Sequence, residues 1–168
     1  EAIRAAGRKA HAVAADLAAL DEARAEALVA EVEAAMGGLD ILVNNAGIIH
    51  REPALEHGFA DWRRVLAVDL DAAFLLAQAA ARRMVPHGFG RIVNVASVLS
   101  FEGGMFVPGY AAAKHGLVGL TRALANEWAA AGVNVNAIAP GYTATANTAA
   151  LREDAERSAA LLARIPAG

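Results

Sequence analysis

Three short apolar runs limit what this chain can fold into: Ile41-Leu42-Val43, Arg91–Val95 and Val133–Ile138. Each is followed by a polar loop and separated from the next by a helix-length stretch. Strands alternating with helical patterns read as βαβ units, whose crossovers make neighbouring strands parallel. Ile41-Leu42-Val43 has no polar residue, as expected of a strand covered by helices on both faces. Ala10–Ala15, ending at Asp16, reads as a further short strand. Glu1–Ala6 reads as the tail of a helix stopped at Gly7. Asp21–Met36 is a helix with Leu28, Val29, Val32 and Met36 on one face, closed by Gly37-Gly38. Further helices are expected over Asp61–Met84, ending at Pro86 and Gly88, over Tyr110–Ala130, and over Thr148–Ile165. The fold class is α/β, a doubly wound parallel sheet.

Composition agrees with close packing of helices on a sheet. Apolar residues make up 57% of the chain and aromatics only 5%, so alanine and branched aliphatics supply the core. The 168 residues suit one domain over 1–168, with no internal repeat and no linker. No apolar run approaches the ~18 residues of a membrane span, and a net charge of −3 gives no reason to expect a nucleic-acid or membrane partner. With no cysteine, a disulfide framework, a thiol nucleophile and a cysteine-based zinc site are excluded, and no metal is expected. No secretory leader is visible, residue 1 reads as mid-helix, and the cytoplasm is the default location.

Polar residues cluster just after the carboxyl ends of the strands: Asp16, Asn44-Asn45, Ser97 and Thr143–Thr145. In open α/β sheets ligands bind at that edge, although turns are polar in any case. Tyr110 and Lys114 stand four residues apart, so a helix projects both from one face. A cation near a phenol favours the phenolate, which can exchange a proton with a substrate hydroxyl or carbonyl. Alone, such a pair is more often an ordinary solvent-facing one. Ser97 lies thirteen residues before Tyr110 at a strand exit, where a hydroxyl can donate to a developing oxyanion.

Asn44-Asn45-Ala46-Gly47 after an apolar strand, Ser97, Tyr110-Ala-Ala-Ala-Lys114 and Asn136-Ala-Ile-Ala-Pro140-Gly141 occur together and in order. In these the chain resembles the short-chain dehydrogenase/reductase family, across essentially its whole length. The resemblance implies a Rossmann-like fold and transfer of a hydride to or from a carbonyl carbon. It implies Tyr110 as general acid/base, Ser97 as the group polarising the reacting oxygen, and Lys114 as a contact to the nicotinamide ribose that lowers the tyrosine pKa. Asn44, Ala46 and Gly47 would line the cofactor cleft, with Pro140, Gly141 and Thr143 on its far side. Asp16 and Leu17 would meet the adenine ring. Thr145 would hold the nicotinamide carboxamide or cap the following helix.

One position departs from the family pattern. Where the family usually has an asparagine on the long central helix, this chain has Asp69, with Phe74 in register. Asp69 is assigned a relay role by the resemblance, the alternative being a residue that caps or kinks the helix. Its charge near a phenolate would oppose lowering that pKa. The family's glycine-rich phosphate loop is also absent, so the chain is expected to lack the first βαβ portion, to be truncated at both ends, and to belong to a longer polypeptide.

The segments Ile48-Ile49-His50-Arg51, Val107-Pro108-Gly109-Tyr110, Asn126-Glu127-Trp128 and Ala144–Thr148 resemble the branch of the family that oxidises a hydroxyl of deoxy sugar acids. That branch implies NAD as cofactor, with NADP not excluded, and a homotetramer. A sugar-acid carboxylate must be paired when desolvated, and His50, Arg51, Asn147 and Arg152 lie on or beside ligand-edge loops. Of these Asn147 is the expected substrate contact, beside Ser97 and Tyr110, while Arg152 and Arg157 read as a solvated helix face. Other polyol dehydrogenases of the family are the alternative, and a non-catalytic dinucleotide-binding or assembly module is the reading from another class.

Overall fold

The structure, a computed structural model, describes residues 1–143 and 153–163. After a single helical turn, α1 (Ala2–Ala5), the chain forms α2 (Glu22–Met36), β1 (Ile41–Asn44), α3 (Phe59–Leu66), α4 (Ala72–His87), β2 (Gly90–Val95), α5 (Pro108–Trp128), β3 (Val133–Ile138) and α6 (Ala155–Leu162). The three strands are parallel in the order β1-β2-β3, with Leu42 opposite Ile92 and Val93 opposite Asn136. This is the consecutive run of strands expected from one half of a doubly wound sheet. The expected helix Thr148–Ile165 lies partly outside the described residues.

One face of the sheet carries the core. Ile92, Val133 and Val135 from the strands pack with Ala77, Ala80 and Met84 of α4 and Leu124 of α5, and Leu42 joins them. The alanines of α4 bring that helix close to the strands. Helix α2 lies outside α4 through Ala25, Val29 and Ala79. Arg83 fixes the pair from the rim, its Nη1 2.8 Å from Glu26 and its Nε 3.1 Å from Glu33. Asp21 caps α2 by accepting from the N–H of Arg24 at 2.7 Å, and Gly37, at φ +91°, closes it. Within α2, Leu28 and Val29 are buried as the periodicity predicts, whereas Met36 is exposed.

Two expectations need correction. Ala10–Ala15 forms no strand; a ladder needs a neighbouring strand edge, and none among the described residues lies beside it. Nor is β1 covered on both faces. Ile41 and Val43, on the side away from the core, are 60% and 54% exposed, as is Ile138 of β3 at 52%.

The long helix predicted from Asp61 begins at Phe59 and runs to His87 as α3, a π-helical segment (Ala67–Asp71) and α4. Pro86 is accommodated in the last turn, and Gly88, at φ +65°, caps the end by donating to Met84 and Val85. The π segment is the predicted place of a kink at Asp69. Such segments insert an extra residue into a helix and often mark functional sites.

Candidate active site

All three strands end on one edge, so the loops that follow them open together. The loops after β2 and β3 are joined by Ala96 N–H donating to Ile138 O at 2.8 Å and Val98 N–H to Pro140 O at 3.0 Å. Ser97, buried, starts a short helical turn: its Oγ accepts from Leu99 N–H at 3.1 Å, and its own N–H donates to Ser100 Oγ at 3.2 Å. Helix α5 opens with Pro108, whose missing N–H is harmless in a first turn. Tyr110 is thereby brought to the same edge, where the Ser97 side chain is close enough to pull the phenol pKa down.

One turn further along α5, Lys114 is 3% exposed. Its Nζ donates to Val95 O at 2.9 Å, stands 3.5 Å from Asp69 Oδ2, and lies 5.5 Å from the centre of the Tyr110 ring. Asp69, 1% exposed on the π segment, accepts from Ile48 N–H at 2.8 Å through Oδ1, while Oδ2 takes no hydrogen bond. Burial pushes the Asp69 carboxyl up from its ordinary value, against the opposing pull of the Ile48 N–H and Lys114. Gly47 sits directly above: a Cβ there would stand 3.1 Å from Asp69 Oδ2 and 3.5 Å from Lys114 Nζ. Hydroxyl, phenol, ammonium and carboxylate thus converge at the carboxyl edge.

The phenol is not tuned as expected. Burial raises the Tyr110 pKa, the Ser97 side chain opposes that rise, the Asp69 charge adds to it and Arg51 opposes it. The Lys114 ammonium, 5.5 Å from the centre of the phenol ring, also faces the Asp69 carboxylate and donates to Val95 O. The anticipated opposition of Asp69 to phenolate formation is present.

Of the expected cofactor residues, Ala46 and Gly47 are exposed on the loop after β1, and Pro140, Gly141 and Thr143 on the loop after β3. Asp16 caps a short turn over Leu17–Ala19, accepting from Ala18 N–H at 3.0 Å, and that turn lies against the π segment. The side chain of Asn44 turns into the protein. Its Nδ2 donates to Asn94 Oδ1 at 2.9 Å and Ala73 O at 3.2 Å; Asn94 in turn donates to Thr121 Oγ1 at 2.9 Å, and Thr121 to Leu117 O at 2.7 Å. This buried chain ties β1, β2, α4 and α5 together. Sequence reasoning passed over Asn94 and Thr121; a lone polar residue inside the apolar run Ile92–Val95 was the available signal. His50 is paired with Glu52, 3.3 Å away. Thr145, Asn147 and Arg152 lie outside the described residues.

The family model of the short chain dehydrogenases matches residues 1–156. The chain is 56% identical over 130 residues to 2-dehydro-3-deoxy-D-gluconate 5-dehydrogenase of Bacillus subtilis (strain 168), covering 77% of this chain and 51% of that one. To the enzyme of the same name from Escherichia coli (strain K12) it is 50% identical over 169 residues, 100% of this chain and 66% of the relative. A solved gluconate 5-dehydrogenase from Burkholderia cenocepacia J2315, in complex with NADP and tartrate, superimposes with a TM-score of 0.93 at 40% identity, over 99% of this chain and 65% of that one. The chain therefore spans between half and two thirds of the length of these relatives.

Proposed function

The chain belongs to the short chain dehydrogenase family, and from that premise we propose that the protein oxidises a secondary hydroxyl of a deoxy sugar acid, 2-dehydro-3-deoxy-D-gluconate, with NAD or NADP. The observation that carries this reading is the meeting of Ser97, Tyr110 and Lys114 at the carboxyl edge of the sheet, with Arg51 close enough to influence the phenol. Residues 1–168 act as one domain, and its described part contains the whole of this constellation.

Tyr110, as phenolate, takes the proton of the substrate hydroxyl. Ser97, beside the phenol, donates to the same substrate oxygen and holds it in line. Lys114 has three donors, of which one is used by Val95 O and one faces Asp69; the third is left for a ribose hydroxyl, so the donor set fits a nicotinamide dinucleotide. When bound, that group supplies the hydride acceptor. Gly47, Gly141 and Thr143 flank it, and Thr145 and Asn147 are assigned to cofactor and substrate. Arg51 is assigned to the substrate carboxylate, whose charge must be matched once water leaves.

Asp69 supports the reaction by positioning Lys114 and the loop at Ile48, which it holds by charge and by hydrogen bond. Homotetramer assembly through α4 and α5 is supported by Phe74, which α4 presents to solvent. No described helix is long and apolar enough to cross a membrane, and dependence on a nicotinamide nucleotide fits a cytoplasmic site of action.

The test is formation of reduced nicotinamide by the full-length protein, with 2-dehydro-3-deoxy-D-gluconate beside D-gluconate and a Tyr110→Phe control. Turnover of the deoxy sugar acid, reduced by about 10²–10⁴-fold in the control, is expected. Turnover of gluconate alone would reassign the substrate. Dinucleotide binding without turnover of any polyol would replace this reading with a binding module.

A further inference from the structure

The loop joining β1 to α3 carries His50, Glu52 and His57, and one ligating atom from each lies within 4.8 Å of the others. Nε2 of His50 is 3.3 Å from Oε2 of Glu52. That is close to the edge of a tetrahedron whose centre lies ~2.0–2.1 Å from nitrogen or oxygen donors. The His57 ring stands edge-on to His50, with ring centres 5.1 Å apart and planes at 84°. On the other side of His50, Nδ1 lies 4.0 Å from Oδ1 of Asp61, in the first turn of α3.

His57 is the informative residue. Both its ring nitrogens are closed off from solvent, and neither has a hydrogen-bond partner. A neutral imidazole carries one N–H donor and one lone pair, and buried polar atoms are rarely left without partners. If the residue served only to fill space, leucine or phenylalanine would do so without that cost. An ion pair accounts for His50 and Glu52 but leaves His57 unexplained.

We propose that His50, Glu52 and His57 bind a divalent transition-metal ion of the zinc type, with a fourth position open to water. Two imidazoles and a carboxylate select zinc, cobalt or nickel over magnesium and calcium, which take all-oxygen sites. Asp61 Oδ1, 4.0 Å from Nδ1 of His50, needs a small rotation to become the carboxylate that orients a ligating imidazole through its second nitrogen. With neutral imidazoles, Glu52 and Asp61 together balance the two charges of the ion. The loop so held also leans on the segment before α5, where Glu52 N–H donates to Phe106 O at 2.9 Å. The ion would therefore fix the rim of the cleft near Tyr110, without entering the hydride chemistry.

The test uses full-length protein purified without a polyhistidine tag and stripped with a chelator. Co²⁺ is titrated while its visible absorption is followed, and Zn²⁺ is then added in competition. One equivalent of Co²⁺ per chain, displaced by Zn²⁺ and not by excess Mg²⁺, is expected. His57→Gln and Glu52→Gln should each weaken binding by about tenfold or more, and Asp61→Asn by about tenfold with the spectrum retained. Affinity should fall as pH drops through the histidine range, because protons compete for the ligands. Absence of saturable binding, or binding unchanged in Glu52→Gln, overturns the proposal. Glu52 is partly exposed, so its substitution decides the matter even if His57→Gln fails to fold.

Discussion

Asp69 and Tyr110 are linked by charge as much as by proximity. The Asp69 carboxylate raises the phenol's pKa, so oxidation, which needs the phenolate as base, gains rate as pH rises through that value. Asp69→Asn removes this charge while keeping an oxygen for the Ile48 N–H. The alkaline-rising limb of kcat/KM should then move to lower pH, and an unmoved limb would sever the two residues functionally. Asp69 also bears on stability. Its folded-state pKa is raised, so its contribution is fully present below the ordinary carboxylate pKa and is lost as pH rises through the raised value. In Asp69→Asn the acid end of the stability profile should therefore flatten, as followed by chemical denaturation across pH. Ser97→Ala removes the hydroxyl that meets the phenol, and kcat should fall by about 10²–10³-fold, the usual effect of deleting one oxyanion donor, with folding unaffected by circular dichroism.

At the scale of elements, the buried chain Asn44–Asn94–Thr121 shows how strands and helices are registered against one another. Asn94→Ala leaves Asn44 Nδ2 one partner short and Thr121 without a donor. Its expected cost is about 1–3 kcal/mol, read from the denaturation midpoint. The turn from α5 into β3 is equally exacting. Gly132 adopts φ +79°, and a Cβ there would stand within 2.0 Å of Gly88 O. Gly132→Ala should destabilise by about 1 kcal/mol or more, whereas the same change at Gly119, which faces open space, should not. The strands Ile41–Asn44, Gly90–Val95 and Val133–Ile138 and the helices between them were legible in hydrophobic period and Gly/Pro punctuation. Ala10–Ala15 was misread because a short apolar run is a local signal, whereas a strand exists only beside another. The inward turn of Asn44 was not legible either, since a side chain's direction depends on a partner fifty residues away.

At the largest scale, the sheet formed by the described residues is covered on one side only. The described helices pack against Ile92, Val133 and Val135, while Ile41, Val43 and Ile138 look outward. Residues 1–168 produced alone should bind an apolar dye and self-associate on size exclusion, and Val43→Asp should reduce both. In the full-length protein the same substitution should lower the melting temperature. A dye-silent monomer of residues 1–168 would contradict this picture. The hydroxyl, phenol and ammonium of the site were readable from spacing, because four residues on a helix fix a common face. The Lys114–Asp69 pair was not, because forty-five residues of chain separate its members and only the packing of α5 against the π segment joins them.

The π segment has a bearing on how this long helix could change over time. Each residue turns an α-helix by about 100°, so one surplus residue rotates everything beyond it out of phase. Upstream, Trp62 and Val65 look toward Gly109 at the start of α5; downstream, Ala77, Ala80 and Met84 look toward the sheet. The surplus residue sets the phase between these two sets of contacts. Removing any one residue between Ala67 and Asp71 would straighten the rod and swing one half of its contacts away from its partner. Substitutions there are a matter of degree, but a deletion is a change of phase, and the spacing between Trp62 and Met84 is for that reason fixed more firmly than most of the letters that fill it.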